Sequence, residues 1–285
     1  MSDIRIPIVP VPFGPGSQAT NEDEGIDILN LPSGMDTFHP PVLPEPEDVA
    51  QLTQAKQILE DILAALRTHR VGDAAVVVDL GNTDVDDIEL INQAMGEGEV
   101  SATLEGAAPM LAQESVLAGV WRVQHLDANK RLVRDTLEIA DAPHFVRHGL
   151  QHHGSIDLDF EGHPAAHSNA PPLLCEIRDQ AKTLSPGDDP HVINLTLLPL
   201  TEDELLLIGS RLGVGEITIL SRGYGNCRIG STLIPNVWWI KYFNSEDKLI
   251  LNTIEICDVP AVALAAQEDI DDSADRLDEI LELYR

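Results

Sequence analysis

The chain has 285 residues, with 18 Lys plus Arg against 48 Asp plus Glu and a formal net charge of -30. A surface that acidic repels phosphate backbones and anionic lipid headgroups, so neither nucleic acid nor a membrane is expected as a partner. The length exceeds a typical single domain, and no apolar run reaches the roughly 18 residues that would cross a bilayer.

Residues 1–48 are dense in Pro, Gly, Asp and Glu (PIVPVPFGPG, HPPVLPEPED). That composition cannot bury a core alone, and the segment is read as a poorly ordered tail. Its start lacks the basic and continuous apolar regions of a secretory signal, so a cytoplasmic location is expected. From Val49 the pattern changes. Leu52, Ile58, Leu59, Ile62, Leu63 and Leu66 recur at helical spacing, which predicts an amphipathic helix over 49–70.

Residues 71–150 and 191–266 read as two copies of one module. Sliding 76–143 forward without a gap onto 193–260 superposes Trp121 on Trp238, Gly96 and Gly98 on Gly213 and Gly215, and Thr136-x-Glu138-Ile139-x-Asp141-x-Pro143 on Thr253-x-Glu255-Ile256-x-Asp258-x-Pro260. Each copy predicts a short strand (Val76–Leu80; Ile193–Leu198), then an acidic helix entry at Asp84 or Thr201, then a helix closing at Gly96 or Gly213. Three β-rich runs follow: Glu99–Leu104 with Glu216–Leu220, Ser115–His125 with Thr232–Phe243, and Leu132–Ile139 with Leu249–Cys257. Asn244–Lys248 is a hairpin loop. The linker 151–190 carries a short helix from Pro171-Pro172 into Arg178, and 267–285 an acidic amphipathic helix expected to pack on its own domain. The fold class is α+β in two layers, two tandem strand-helix-antiparallel-sheet modules with helices on one face.

The copies differ in one chemically rich string. Where the first has Leu104-Glu105-Gly106-Ala107-Ala108-Pro109-Met110-Leu111, the second has Ser221-Arg222-Gly223-Tyr224-Gly225-Asn226-Cys227-Arg228. Arginines bind carboxylates through two parallel bonds, and a thiol between two guanidinium groups is pushed toward thiolate. The plainer reading is a β-turn whose arginines pair with the chain's own acids around a buried Cys227. Trp121 and Trp238 are expected in the core, whereas Trp239, aligned with Arg122, is expected exposed and is the interface candidate. His144, His148 and His152 recur every four residues and are the candidate metal ligands. Three imidazoles on one helix seldom converge on an ion without ligands from elsewhere, so no metal is assigned. Cys175, Cys227 and Cys257 lack paired spacing and read as free thiols. No GxSxG, HExxH or phosphate-binding glycine loop is present, and no catalytic residue is assigned.

Ile193–Thr201, Ile219–Arg228, Asn236-Val237-Trp238, Tyr242-Phe243-Asn244 and Asp258-Val259-Pro260 together resemble the C-terminal part of the HupH/HyaF family of nickel-iron hydrogenase expression/formation proteins. The resemblance implies a non-catalytic scaffold or chaperone in maturation of a membrane-bound uptake hydrogenase. Its partners would be an immature hydrogenase subunit and other assembly proteins; whether two chains pair as a homodimer stays open. No cofactor is expected to be held stably. A transient iron-dicyano-carbonyl intermediate at Cys227 and the flanking arginines is the one candidate. The alternative is a small thiol-dependent redox or acyl-transfer enzyme using Cys227.

Overall fold

The computed structural model describes residues 43–149, 154–163, 168–223 and 226–285, so most of the tail lies outside the described residues. In chain order the elements are α1 (Thr53–Thr68), β1 (Val76–Asp79), α2 (Val85–Met95), β2 (Val100–Leu104), β3 (Met110–Glu114), β4 (Val120–Leu126), β5 (Leu132–Ile139) and α3 (His144–His148). Then come α4 (Ala170–Thr183), β6 (His191–Asn194), α5 (Glu202–Leu212), β7 (Ile217–Ser221), β8 (Asn226–Ser231), β9 (Val237–Phe243), β10 (Leu249–Ile256) and α6 (Gln267–Glu282). The protein is α+β: among the described residues ten strands form one antiparallel sheet in the order β1-β5-β4-β3-β2-β7-β8-β9-β10-β6. Its two halves meet where β2 and β7 pair, Val100 opposite Ser221, Ala102 opposite Ile219 and Leu104 opposite Ile217.

Local chemistry accounts for the element ends. The helices α2 and α5 stop at Gly96 and Gly213, whose φ angles of 55° and 67° lie where a side chain would be strained. Thr201 accepts a hydrogen bond from the Glu204 amide while Glu204 accepts from the Thr201 amide, a complete capping box. Asp84, expected to do the same for α2, makes no side-chain cap bond. Two strands were not expected. Met110–Glu114 and Asn226–Ser231 each overlap the end of one of the two contrasted strings and fall outside the expected β-rich runs, yet β3 and β8 are paired on both edges, β3 between β2 and β4 and β8 between β7 and β9. Long-range pairing, which no local pattern reports, overrides weak propensity there.

Strand alternation divides the core between the two faces of the sheet. On one face Val120, Leu137 and Ile139 pack under α1, α2 and α6, and Val237, Trp239, Ile254 and Ile256 pack under α4 and α5. On the other, Trp121, Val123, Ile217, Ile219, Cys227, Ile229, Trp238 and Ile240 form one cluster spanning both halves, closed by α3 and the turn Ala261–Ala263. The C-terminal helix departs from expectation. It lies on α1, with Ile270, Leu277 and Leu281 buried among Ile58, Leu59, Ile62 and Leu66, and so covers the first half rather than the second from which it emerges. In return Ile156, which follows the first half in the chain, is buried against Leu207, Ile208 and Ile234 of the second. Among the described residues no helix is long and apolar enough to cross a membrane.

Candidate functional site

The distinctive string sits at the turn between β7 and β8, with Leu220 paired to Arg228 and Ser221 to Cys227. Ser221 is buried, Arg222 and Gly223 are exposed, and Tyr224 and Gly225 lie outside the described residues. The Arg222 amide donates to the Glu99 carbonyl at 3.1 Å. A Cβ on Gly223 would stand 2.3 Å from Glu99 Oε2, the free end of an exposed side chain, so Glu99 borders this turn. Asn226 Nδ2 donates to Asp247 Oδ1 at 3.1 Å, tying β8 to the β9–β10 hairpin loop.

Neighbouring residues on a strand face opposite ways, and this separates the thiol from the guanidinium. Cys227 is 4% exposed and points into the cluster holding Ile229, Trp238 and Ile240. Tyr242 lies directly opposite and its hydroxyl donates to the sulfur, but burial dominates and pushes the thiol up to about 12. Cys257 is raised to about 12 as well, by burial and then by Glu255 and Asp258. The expectation of an arginine-activated thiolate is therefore not met. Desolvation of a thiol among apolar groups outweighs a guanidinium on the far side of the sheet.

Arg228 emerges on the face between the helix layers. Its guanidinium lies over the Phe243 ring, 4.7 Å from the centroid, and its Nε is buried without a hydrogen-bond partner. Lys241 stands directly opposite on β9. Burial, and secondarily Arg228, lower the Lys241 pKa, and the Lys241 ammonium sits 5.7 Å from the Trp239 ring centroid. Across the neighbouring strands the same row continues through Leu220, Ser101 and Gln113 to Arg122. Arg222, Asn226 and Arg228 line one shallow depression with Leu220. Sequence reading missed Lys241 and Phe243. The alternation of β9 was visible, but without β8 there was no register to set them beside Arg228.

Trp239 is a second correction. It is 3% exposed, because β9 is an interior strand covered on both faces, and its Nε1 donates to Asn252 Oδ1 at 2.6 Å. It offers no surface to a partner. Trp121 and Trp238 are core as expected, their indole N–H groups donating to the carbonyls of Ala140 and Asp258.

The sequence matches the family described as HupH hydrogenase expression protein, C-terminal conserved region, over residues 52–152 and 167–284. The chain belongs to the HupH family. It is 46% identical to the hydrogenase expression/formation protein HoxQ of Cupriavidus necator, over 99% of this chain and 98% of that one. It is 40% identical to HupH of Rhodobacter capsulatus over the full length of both, and 32% identical to the hydrogenase-1 operon protein HyaF of Escherichia coli over 94% of each. A solved structure of HupH from Thiobacillus denitrificans is 31% identical, covering 40% of this chain and 93% of that one with a TM-score of 0.36.

An iron-dicyano-carbonyl group on this HupH-family chain would need a thiolate and nearby guanidinium groups in one donor set. Cys227 and Arg228 face opposite sides of the sheet and the thiol is protonated at neutral pH, so these residues do not fit that group. His144 and His148 are exposed on the short α3, ring centroids 4.6 Å apart, while His152 lies outside the described residues. Among the described residues no group of three or more His, Cys, Asp and Glu side chains is placed to hold a metal ion.

Proposed function

We propose that this HupH-family chain is a non-catalytic accessory protein of nickel-iron hydrogenase formation, acting in the cytoplasm as a scaffold that docks an immature hydrogenase subunit or its assembly proteins. The observation that carries this reading is alignment over nearly the whole chain with proteins named for hydrogenase expression and formation. The structure is compatible with a scaffold. Its buried thiols are held protonated, which argues against a Cys227-dependent redox or acyl-transfer reaction. The most accessible unusual chemistry is cationic and lies on an open strip of sheet, suited to holding a polypeptide rather than to breaking a bond.

The test is to tag the protein in hydrogenase-producing cells, isolate its complexes before the enzyme is exported, and identify them by mass spectrometry. Recovery of a precursor hydrogenase subunit or a maturation protein is the expected result. Recovery of neither, in cells where an established maturation chaperone does bring down its client, overturns the reading.

A further inference from the structure

In a chain with 48 acidic and 18 basic residues, a half-buried guanidinium with neither a carboxylate partner nor an acceptor for its buried Nε stands out among the described residues. Arg67, Arg122, Arg134, Arg147, Arg211 and Arg285 each hold an aspartate or glutamate in an ion pair. Arg228 holds none among the described residues, although Asp247 and Glu99 border the same turn. It also stands directly across from Lys241, and like charges in that position destabilise a sheet. The Arg228 guanidinium lies over the Phe243 ring, and a guanidinium can engage a planar acceptor through two parallel bonds. Arg222 brings a further positive charge to the rim of the same depression. In the alignment of the two copies Arg228, Lys241 and Phe243 fall opposite Leu111, Gln124 and Leu126, so the first half lacks this arrangement.

We propose that Arg228, with Lys241 and Arg222, binds a carboxylate side chain presented by an extended acidic segment of a partner polypeptide. The half-buried strip formed by Leu220, Ser101 and Gln113 beside Arg228 receives the chain that carries it. A long polyanion such as nucleic acid is a poor occupant, since the surrounding charge of -30 repels it along its length, whereas a short acidic segment meets that repulsion over few residues while one of its carboxylates reaches the local cations. The proposal rests on the docking reading above and specifies the chemistry of the docked segment.

The full-length chain is titrated into a fluorescein-labelled peptide of alternating Glu and Thr, into the Gln/Thr counterpart, and into the Glu/Thr peptide in the presence of citrate. The Glu/Thr peptide binds, the Gln/Thr peptide binds about tenfold more weakly, and Arg228→Gln weakens Glu/Thr binding about tenfold with an unchanged melting curve. Arg228→Lys keeps the charge but loses the fork and falls between the two; Arg134→Gln, on an ion pair at the opposite edge of the sheet, leaves binding unchanged. Equal binding of both peptides, or wild-type affinity in Arg228→Gln, overturns the site. Displacement by citrate at the peptide's own affinity overturns the peptide as occupant. The two proposals separate in cells: undiminished precursor recovery by Arg228→Gln overturns this site and leaves the docking reading standing. Peptide binding by a wild-type chain that recovers no precursor overturns only the docking reading.

Discussion

Cys227 and Arg228 are joined by one peptide bond and have opposite surroundings, which sets what each can do. The thiol is neutral over the whole physiological range, since a pKa of about 12 leaves it almost wholly protonated at pH 8. Iodoacetamide at pH 8 should therefore modify Cys175, which is partly exposed, well before Cys227 or Cys257; peptide mass spectrometry over a time course reads the order. Rapid labelling of Cys227 in the folded protein would contradict its place in the core. Glu114 is a different buried group. It is nearly enclosed, accepts from the Gly119 amide, and burial raises its pKa to about 7, with Glu99 and Asp269 adding smaller repulsion. A carboxyl whose folded pKa lies above its unfolded value stabilises the fold fully below about pH 4.5. That contribution fades as the pH climbs through about 7, because ionisation must occur in a dry site. Wild type should lose roughly 2–3 kcal/mol relative to Glu114→Gln across that interval, measured by urea unfolding at a series of pH values. A pH-independent difference would place Glu114 in water. Nothing in the sequence singled out Glu114 among 48 acids, because its burial comes from packing between segments that are distant in the chain.

At the scale of the element, α2 and α5 begin alike in sequence and differently in structure. Thr201 and Glu204 bond reciprocally, and Glu204 also accepts from the Asn169 amide at 2.7 Å, which ties the start of α4 to the start of α5. These backbone donors hold the Glu204 carboxyl down to about 2, so its contribution is present above the normal carboxylate range and is lost as the pH falls toward that value. Thr201→Ala should cost about 1 kcal/mol, whereas Asp84→Ala, which breaks no cap hydrogen bond, should cost less; thermal unfolding at neutral pH compares them. Equal losses would mean that the charge of Asp84 on the helix dipole matters as much as the capping geometry. Helix positions were readable because α1, α2, α5 and α6 carry apolar periodicity, and the ends of α2 and α5 because Gly96, Gly213 and the Thr201 cap mark them. The two inner strands β3 and β8 were not. Met110–Glu114 mixes Gln and Glu with apolar residues, and Asn226–Ser231 contains Arg and Gly, so both look like loop until pairing on each side is known. Missing β8 also hid the candidate site, since only its register against β9 sets Arg228 beside Lys241.

Over the whole molecule the chain is closed by its own last helix. Leu277 is fully buried between α6 and α1, and Arg285 binds Glu60 while Asp278 binds Arg67 across the same seam. The first half thus depends on residues at the far end of the sequence, and the sheet itself runs unbroken from β1 to β6 through five residue pairs at the β2–β7 seam. The cluster containing Trp121 and Trp238 is common to both halves, so opening one exposes apolar surface of the other. One cooperative transition follows from that sharing, even at a length where separate domains usually unfold separately. Leu277→Ala should lower stability by about 2–4 kcal/mol through the cavity it leaves. The loss should appear equally in hydrogen exchange of β5, near the substitution, and of β9 and β10, on the other side of the sheet. Faster exchange confined to β1 and β5, with β9 and β10 unchanged, would instead describe two units that touch at β2 and β7 and fold independently. In that case the Arg228 surface would keep its geometry when the first half is destabilised, and peptide binding by Leu277→Ala in mild denaturant would outlast the near-ultraviolet signal of Trp121.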